Sequence, residues 1–350
     1  MLEDADIARL VVRAPNWLGD AVLALPAMAA LRRYLPSAHI TIAAPASVAP
    51  LYRERTQAAP DEVLELPEGS RAATAALAAG RFDAGVLFPN SFRSAWQLYR
   101  SGVRQRWGYP TAGRGFLLTR RSRKPRRGEA RHQADYYRAL IRGLGIECAE
   151  NELPNVRPLD ASVRRAESLL AQYHCPADRP IVLMLPGAAN GDAKQWPSDR
   201  MAELAARLVT ERGATCILAG AAHDAPAGRA IESWLRERAP QASPRVLNLV
   251  GQTSLGVLGG VLTRVTVCVS NDSGGMHLAS AIGRPVVAIF GPTDERATRP
   301  SGDHDLITEP VFCRPCMLHD CPIDHRCMKR IPVSRVFDAV AADLDFRALS

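Results

Sequence analysis

The sequence predicts an α/β protein made of two doubly wound domains, and three observations carry that expectation. Short β-branched runs alternate with stretches of helical apolar spacing along nearly the whole chain, the pattern of parallel sheets covered by helices. The alternation breaks once, at Glu147–Asp160, which holds two prolines and little periodicity and reads as a linker. The 350 residues, 47% of them hydrophobic, suffice for two domains of ordinary size. The expected division is residues 1–160, residues 161–332 and a closing helix over residues 333–350. A ligand is expected at the carboxyl ends of the strands, in a cleft between the domains.

In the first domain, Ala8–Ala14 reads as a strand and Val22, Leu25, Met28, Ala29 and Leu31 mark the helix after it. The turn between them, Pro15–Asp20, holds one glycine, so it is not the three-glycine fingerprint of a dinucleotide site, and an NAD or FAD enzyme is not expected. Asp20 falls at the helix start, where the dipole keeps a carboxylate ionised at neutral pH. Local sequence alone favours a simple capping role for it. Strands follow at His39–Ala44, Val63–Leu66 and Ala84–Phe88, with helices at Val48–Arg55 and Arg71–Ala79. The last of these strands runs into a polar loop, Pro89–Ser94, whose Asn90, Ser91 and Arg93 either bind hydroxyls and phosphates or cap a helix. Gly102–Thr119 reads as irregular or strand structure. Arg120–Arg131 has seven basic residues in twelve, and its proline and glycine mark it as an exposed loop. A helix at Ala134–Leu144 leads into the linker.

After a helix at Val163–Tyr173, the second domain alternates strands at Ile181–Leu185, Ala214–Ala219 and Val246–Val250 with helices at Met201–Glu211, Ala227–Arg238 and Leu255–Leu262. Val265–Asp294 then forms one βαβ unit. Its β-branched strand turns sharply through Asn271–Gly275 into a helix lined by Met276, Leu278, Ala279 and Ile282, and a strand at Pro285–Phe290 follows. Two glycines let the backbone approach a ligand, and the free N–H groups of a new helix favour a phosphate. The plainer alternative is that Asn-Asp-Ser caps the helix and the glycines only make the turn. The first strand of this domain ends in a loop of small residues, Pro186–Pro197, where the compact charge of Lys194 suits a diphosphate or merely faces solvent. Asp224, in the third loop, is placed to meet a ribose.

The net charge of +8 is uneven: residues 1–165 carry 25 basic against 16 acidic residues, and residues 166–350 carry 19 against 20. The basic half suits a polyanionic partner. Nucleic acid is not expected, because no aromatic residue interleaves the basic run. No apolar run is long enough to cross a bilayer, and the acidic start MLEDADIARL does not resemble an export signal, so a cytoplasmic location is expected. Disulfides do not persist in a reducing compartment, so most of the eight cysteines should be free or metal-bound. Cys148, Cys175, Cys216 and Cys268 look isolated and mostly buried. Cys313, Cys316, Cys321 and Cys327, with His319 and His325 among them, have spacing that would suit zinc or an iron–sulfur cluster, or else form a reduced loop or a disulfide.

Four motifs, LVVRAPNWLGDAVLALPAM, LFPNSFRSA, LPGAANGDAKQWP and NDSGGMHLASAIGRPVVAIFGPTD, together resemble the ADP-heptose:lipopolysaccharide heptosyltransferases of glycosyltransferase family 9. They run in the family's order over nearly the whole chain, and are nearest to the members that add the second inner-core heptose. The resemblance implies the GT-B fold of two Rossmann-like domains, with the donor on the C-terminal domain and the acceptor on the N-terminal one. It also implies that a helix at Ser334–Leu349 crosses back to the first domain. It makes Asp20 the catalytic base and Lys194 the holder of the donor diphosphate. Backbone N–H groups of Ser273, Gly274 and Gly275 would assist, with Asp272 near the heptose and Gly187, Asn190, Asp224 and His277 completing the donor site. Asn90, Ser91, Arg93, Arg120, Arg121 and Arg123 would meet the acceptor, a phosphorylated heptosyl-Kdo2-lipid A on the cytoplasmic face of the inner membrane. The implied reaction is an inverting single displacement from ADP-heptose that needs no cofactor. The nearest rival is addition of the first heptose or use of another sugar or acceptor; a more distant one is a non-catalytic nucleotide- or nucleic-acid-binding protein.

Overall fold

The computed structural model describes every residue except 1–5, 127, 130, 189–191 and 349–350. The chain divides into two compact units, Met1–Val156 and Arg157–Ser350, and each holds one six-stranded sheet. In the first unit the strands are β1 (Arg9–Arg13), β2 (His39–Pro45), the outlying β3 (Arg55–Thr56), β4 (Glu62–Leu66), β5 (Ala84–Leu87), β6 (Gln105–Gly108) and β7 (Arg120–Arg121). They pair in parallel in the order β4-β2-β1-β5-β6-β7. The two-residue β8 (Val156–Arg157) marks the boundary. The second unit holds β9 (Ile181–Leu185), β10 (Thr215–Leu218), β11 (Val246–Asn248), β12 (Val267–Asn271), β13 (Val286–Phe290) and β14 (His304–Thr308), in the parallel order β11-β10-β9-β12-β13-β14.

Both sheets follow the doubly wound order 3-2-1-4-5-6 when their own strands are counted. The direction of winding reverses between β1 and β5 in one and between β9 and β12 in the other. Central strands such as β9 and β12 are buried on both faces, which is why they read as unbroken apolar runs. Reversal opens a crevice at the strand carboxyl ends, so the loops after β1, β5, β9 and β12 are the ones placed to bind.

Three features go beyond the sequence expectation. Residues 92–94, read as the end of a polar loop that either binds a ligand or caps a helix, open a nine-residue helix, Phe92–Arg100, with Ser91 as its cap. Arg120–Arg121, read as loop, pairs as an edge strand with Trp107–Gly108, and the Arg120 guanidinium lies 5.0 Å from the Trp107 ring centroid. β14 was not foreseen, because its sequence HDLIT buries only Ile307. The C-terminal helix, Val333–Ala348, packs on the helix Ser198–Arg212 and on β12, β13 and β14. Its Val336, Phe337, Val340, Ala341 and Leu344 recur at helical spacing and join the second unit's core, and Arg207 covers the Phe337 ring at 4.0 Å.

The helix Leu255–Leu262 packs closely on Asp160–Gln172 because Gly260 leaves room: a Cβ there would stand 2.5 Å from the Ser162 carbonyl oxygen. In an open helix, Gly→Ala stabilises by up to about 1 kcal/mol. Here the obstacle is backbone, which cannot rotate aside, and overpacking costs about 1–3 kcal/mol. Gly260→Ala is therefore expected to destabilise the protein in urea denaturation with an unchanged slope; a midpoint at or above wild type would show that the two helices can separate freely.

Candidate active site

In the second unit the strand β12 ends in Asn271, which is fully buried. Its amide nitrogen donates to the carbonyls of Pro186 (2.8 Å) and Gly187 (3.3 Å), and its amide oxygen accepts the Trp196 N–H (3.1 Å). One side chain thus holds both ends of the loop after β9 against the turn after β12. Lys194, in a 3-10 turn of that loop, reaches Asp272 with a 2.8 Å salt bridge. Asp272 is 7% exposed and Lys194 23%, so the ammonium keeps one open side while the carboxylate is enclosed.

Ser273 precedes the helix Gly274–Ala281 in an extended conformation, and its side chain makes no capping bond. Its hydroxyl lies 3.1 Å from that of Ser270 instead. The first N–H groups of the helix are therefore left for another acceptor, on the half-exposed backbone of Ser273, Gly274 and Gly275. A Cβ on Gly275 would stand 2.6 Å from the Leu185 Cδ1 methyl, so glycine lets the turn lie this close to β9 without shifting that side chain. Gly187 is equally constrained, since a Cβ there would fall 2.0 Å from the Asp224 carboxylate.

Asp224, expected at a ribose, lies in the loop after β10. Its carboxylate is 10% exposed, accepts the Ala221 N–H at 2.9 Å, and is enclosed by Gly187 and Gly220. It braces its own loop. His277 is buried inside the helix Gly274–Ala281. Asn190 lies outside the described residues.

In the first unit Asp20 is half-buried in the first turn of the helix Leu18–Leu23. The hydroxyl of Tyr137 hydrogen-bonds with its carboxylate, and burial, then the Asp20 charge, push the Tyr137 hydroxyl well above the ordinary phenol range. Tyr52 is raised likewise, by burial first. Arg13, at the end of β1, donates to the Ala14 carbonyl (2.7 Å) and to Asn16 (2.8 Å). Burial lowers its guanidinium to about 10, still fully charged at neutral pH. Arg13, Asn16, Ser47, Ser91, Arg93 and Ser94 line a pocket of about 730 Å³, within the size range of small-molecule sites.

The expected acceptor residues are only partly together. Ser91 and Arg93 share that pocket, although the Ser91 hydroxyl also caps its helix through the Ser94 N–H. Asn90 donates to the Tyr136 hydroxyl at 2.8 Å. Arg120 lies over Trp107, Arg121 is exposed, and Arg123 lines a different pocket with Asp135 and Arg142. Arg13, Tyr52 and Tyr137 were not singled out in the sequence. Only Arg13 left a trace there, as a charge closing an apolar strand.

All eight cysteines are free. Cys313, Cys316, Cys321 and Cys327 line one small cavity, and Cys321 Sγ accepts the His325 N–H at 3.3 Å. Among the described residues no three His, Cys, Asp or Glu side chains are grouped so as to hold a metal ion. No chemical step passes through the tract.

Two parallel α/β units of this winding are the parts of a GT-B glycosyltransferase. The chain belongs to glycosyltransferase family 9 (heptosyltransferase), whose sequence profile matches residues 71–325. It is 31% identical over 303 residues to lipopolysaccharide heptosyltransferase 2 of Escherichia coli K12, covering 83% of this chain and 85% of that one. Identity to lipopolysaccharide heptosyltransferase 2 of Salmonella typhimurium LT2 is 30% over the same length. The structure of E. coli ADP-heptose lipopolysaccharide heptosyltransferase II superposes with a TM-score of 0.83 at 25% identity, covering 97% of this chain and 99% of that one.

Breaking an enclosed ion pair from one side leaves an uncompensated charge. Lys194→Met is thus expected to lower stability by about 1–3 kcal/mol in urea denaturation. Adding Asp272→Asn should recover part of that loss, because the stranded carboxylate is gone. Strict additivity of the two changes would show that the pair does not act as a unit.

Proposed function

We propose that the protein transfers heptose from ADP-heptose to heptosyl-Kdo2-lipid A, adding the second heptose of the lipopolysaccharide inner core. The observation that carries this reading is Lys194, fixed by Asp272 beside the open helix start at Ser273–Gly275. A cation and unused N–H donors at a sheet's winding reversal suit the diphosphate of a nucleotide sugar. The similarity to the two enterobacterial heptosyltransferases 2 supplies the sugar and the acceptor.

In this mechanism the acceptor hydroxyl oxygen bonds to the anomeric carbon as the bond from that carbon to the ADP oxygen breaks, with inversion. Asp20 takes the hydroxyl proton. Lys194 and the N–H groups at Gly274 and Gly275 stabilise the charge gathering on ADP, while Asp272 fixes the ammonium and lies near the heptose. Gly187 and His277 shape the donor site from behind, and Asn190 and Asp224 belong to its loops. Arg93 and Ser91 contact the acceptor together with Arg13, and Arg120, Arg121 and Arg123 meet its phosphates further out. Transfer needs no cofactor, and any zinc or iron–sulfur cluster in the cysteine tract is structural. The enzyme works from the cytoplasm at the inner face of the membrane that carries its acceptor; no described helix is long and apolar enough to cross a membrane.

Release of ADP from ADP-heptose, measured with Kdo2-lipid A and with its heptosylated form, tests the assignment. Release with the heptosylated acceptor alone is expected; release with the bare acceptor would make the protein the first transferase of the pathway. Asp20→Ala should cut turnover by about 10²–10⁴-fold with ADP affinity nearly unchanged, and a wild-type rate would remove Asp20 from the role of base. Turnover should also survive EDTA, and metal analysis of the purified protein reads the cysteine tract directly.

A further inference from the structure

One face of the first unit is not used by the transfer chemistry. The helix Phe92–Arg100 buries Ala95 and Leu98 in the core and turns Phe92, Trp96 and Tyr99 outward at the spacing i, i+4, i+7. Phe116, from the 3-10 turn Arg114–Leu117, extends the row. The ring centroids of Phe92 and Trp96 are 6.1 Å apart, those of Phe92 and Phe116 6.2 Å, and those of Trp96 and Tyr99 5.6 Å. The four side chains are between 40% and 70% exposed. Aromatics make up 6% of the sequence, so four of them touching in one exposed row is a patch, not scatter.

The segment that carries the patch has one sign of charge. Between Ala84 and Gly128 the sequence has eleven Arg and Lys residues and not one Asp or Glu. Arg100 lies over the Trp96 ring at 5.9 Å and Arg106 over Tyr99 at 5.4 Å, so guanidinium heads stand directly on the aromatic row. A second copy of this chain would bring like charges together around the same rings. A continuous anionic surface with an apolar interior matches both parts of the face: amphipathic rings settle at headgroup depth, and arginines meet lipid phosphates.

We propose that the face formed by Phe92, Trp96, Tyr99 and Phe116, with Arg100, Arg104 and Arg106 at its rim, docks the protein on an anionic phospholipid bilayer. Ser91, which caps the same helix, lines the pocket beside Arg13 and Arg93. If the protein acts as proposed above, a glycolipid held in the bilayer would meet that pocket at the end of the docked helix. The docking itself does not depend on which sugar is transferred.

Cosedimentation of the full chain with phosphatidylglycerol-containing vesicles, compared with pure phosphatidylcholine vesicles, tests the proposal. Wild type should bind the anionic vesicles, and raised salt should weaken binding. The variant with Trp96→Ser, Tyr99→Ser and Phe116→Ser should bind at least about tenfold less tightly. Arg100→Ser with Arg104→Ser, which spares the apolar face, should bind several-fold less tightly. Circular dichroism confirms that each variant is folded, and ADP release with detergent-dispersed acceptor should remain at the wild-type rate in both. Loss of that release in wild type would defeat the proposed function and leave docking standing. Absence of vesicle binding by wild type, equal binding to neutral vesicles, or full binding by the aromatic variant would overturn docking. A wild-type dimer that the aromatic variant converts to monomer would also overturn it, making the face a contact between copies.

Discussion

The edge of the second unit's sheet rests on one buried amide. Asn271 makes three hydrogen bonds, two to the start of the loop after β9 and one to its end at Trp196. The same loop is tied further by the Trp196 indole N–H on the Ile331 carbonyl and by the Ala193 N–H on the His319 carbonyl. Close approach recurs behind it, where Gly275 lies against Leu185 and Gly187 against the Asp224 carboxylate. The turn after β12, the loop that holds Lys194 and the loop that holds Asp224 are therefore held against one another at the sheet edge.

The carboxylate half is organised differently. Asp20 sits near two groups brought from distant parts of the first unit, Tyr52 and Tyr137, the latter from the helix Gln133–Gly143, and Arg13 at the end of β1 acts on Tyr52 in turn. Burial holds both tyrosines neutral and leaves Arg13 charged. Phenols that do not ionise keep the surroundings of the Asp20 carboxylate the same across the neutral range.

How much was legible in the sequence follows from where each signal is stored. Strands buried on both faces, such as Ile181–Leu185 and Val286–Phe290, announce themselves as apolar runs, and the glycine turn at Asn271–Gly275 marks its helix start. The helix Phe92–Arg100 was hidden because rings face outward while the polar Ser94 and Gln97 are buried, so its apolar residues do not mark its inner face. β14 was hidden for the opposite reason, having one buried residue in five. Lys194 and Asp20 could be picked out because their loops are locally unusual. The confinement of Asp224 could not, since it depends on the distance to a glycine 37 residues earlier. Nor could the tyrosines around Asp20, which come from other elements.

The seat of the C-terminal helix on its own unit carries a consequence for the order of events during synthesis. The first unit is continuous in sequence through Val156, so all of its sheet and core has emerged from the ribosome before the second unit is half made. The second unit's core draws on Val336, Phe337, Val340, Ala341 and Leu344, which lie against strands made up to about 80 residues before them. Until those residues are translated, an apolar face of that sheet stays uncovered. The nascent second unit is thus the part of the chain in need of protection by chaperones, while the first unit can fold as it is made.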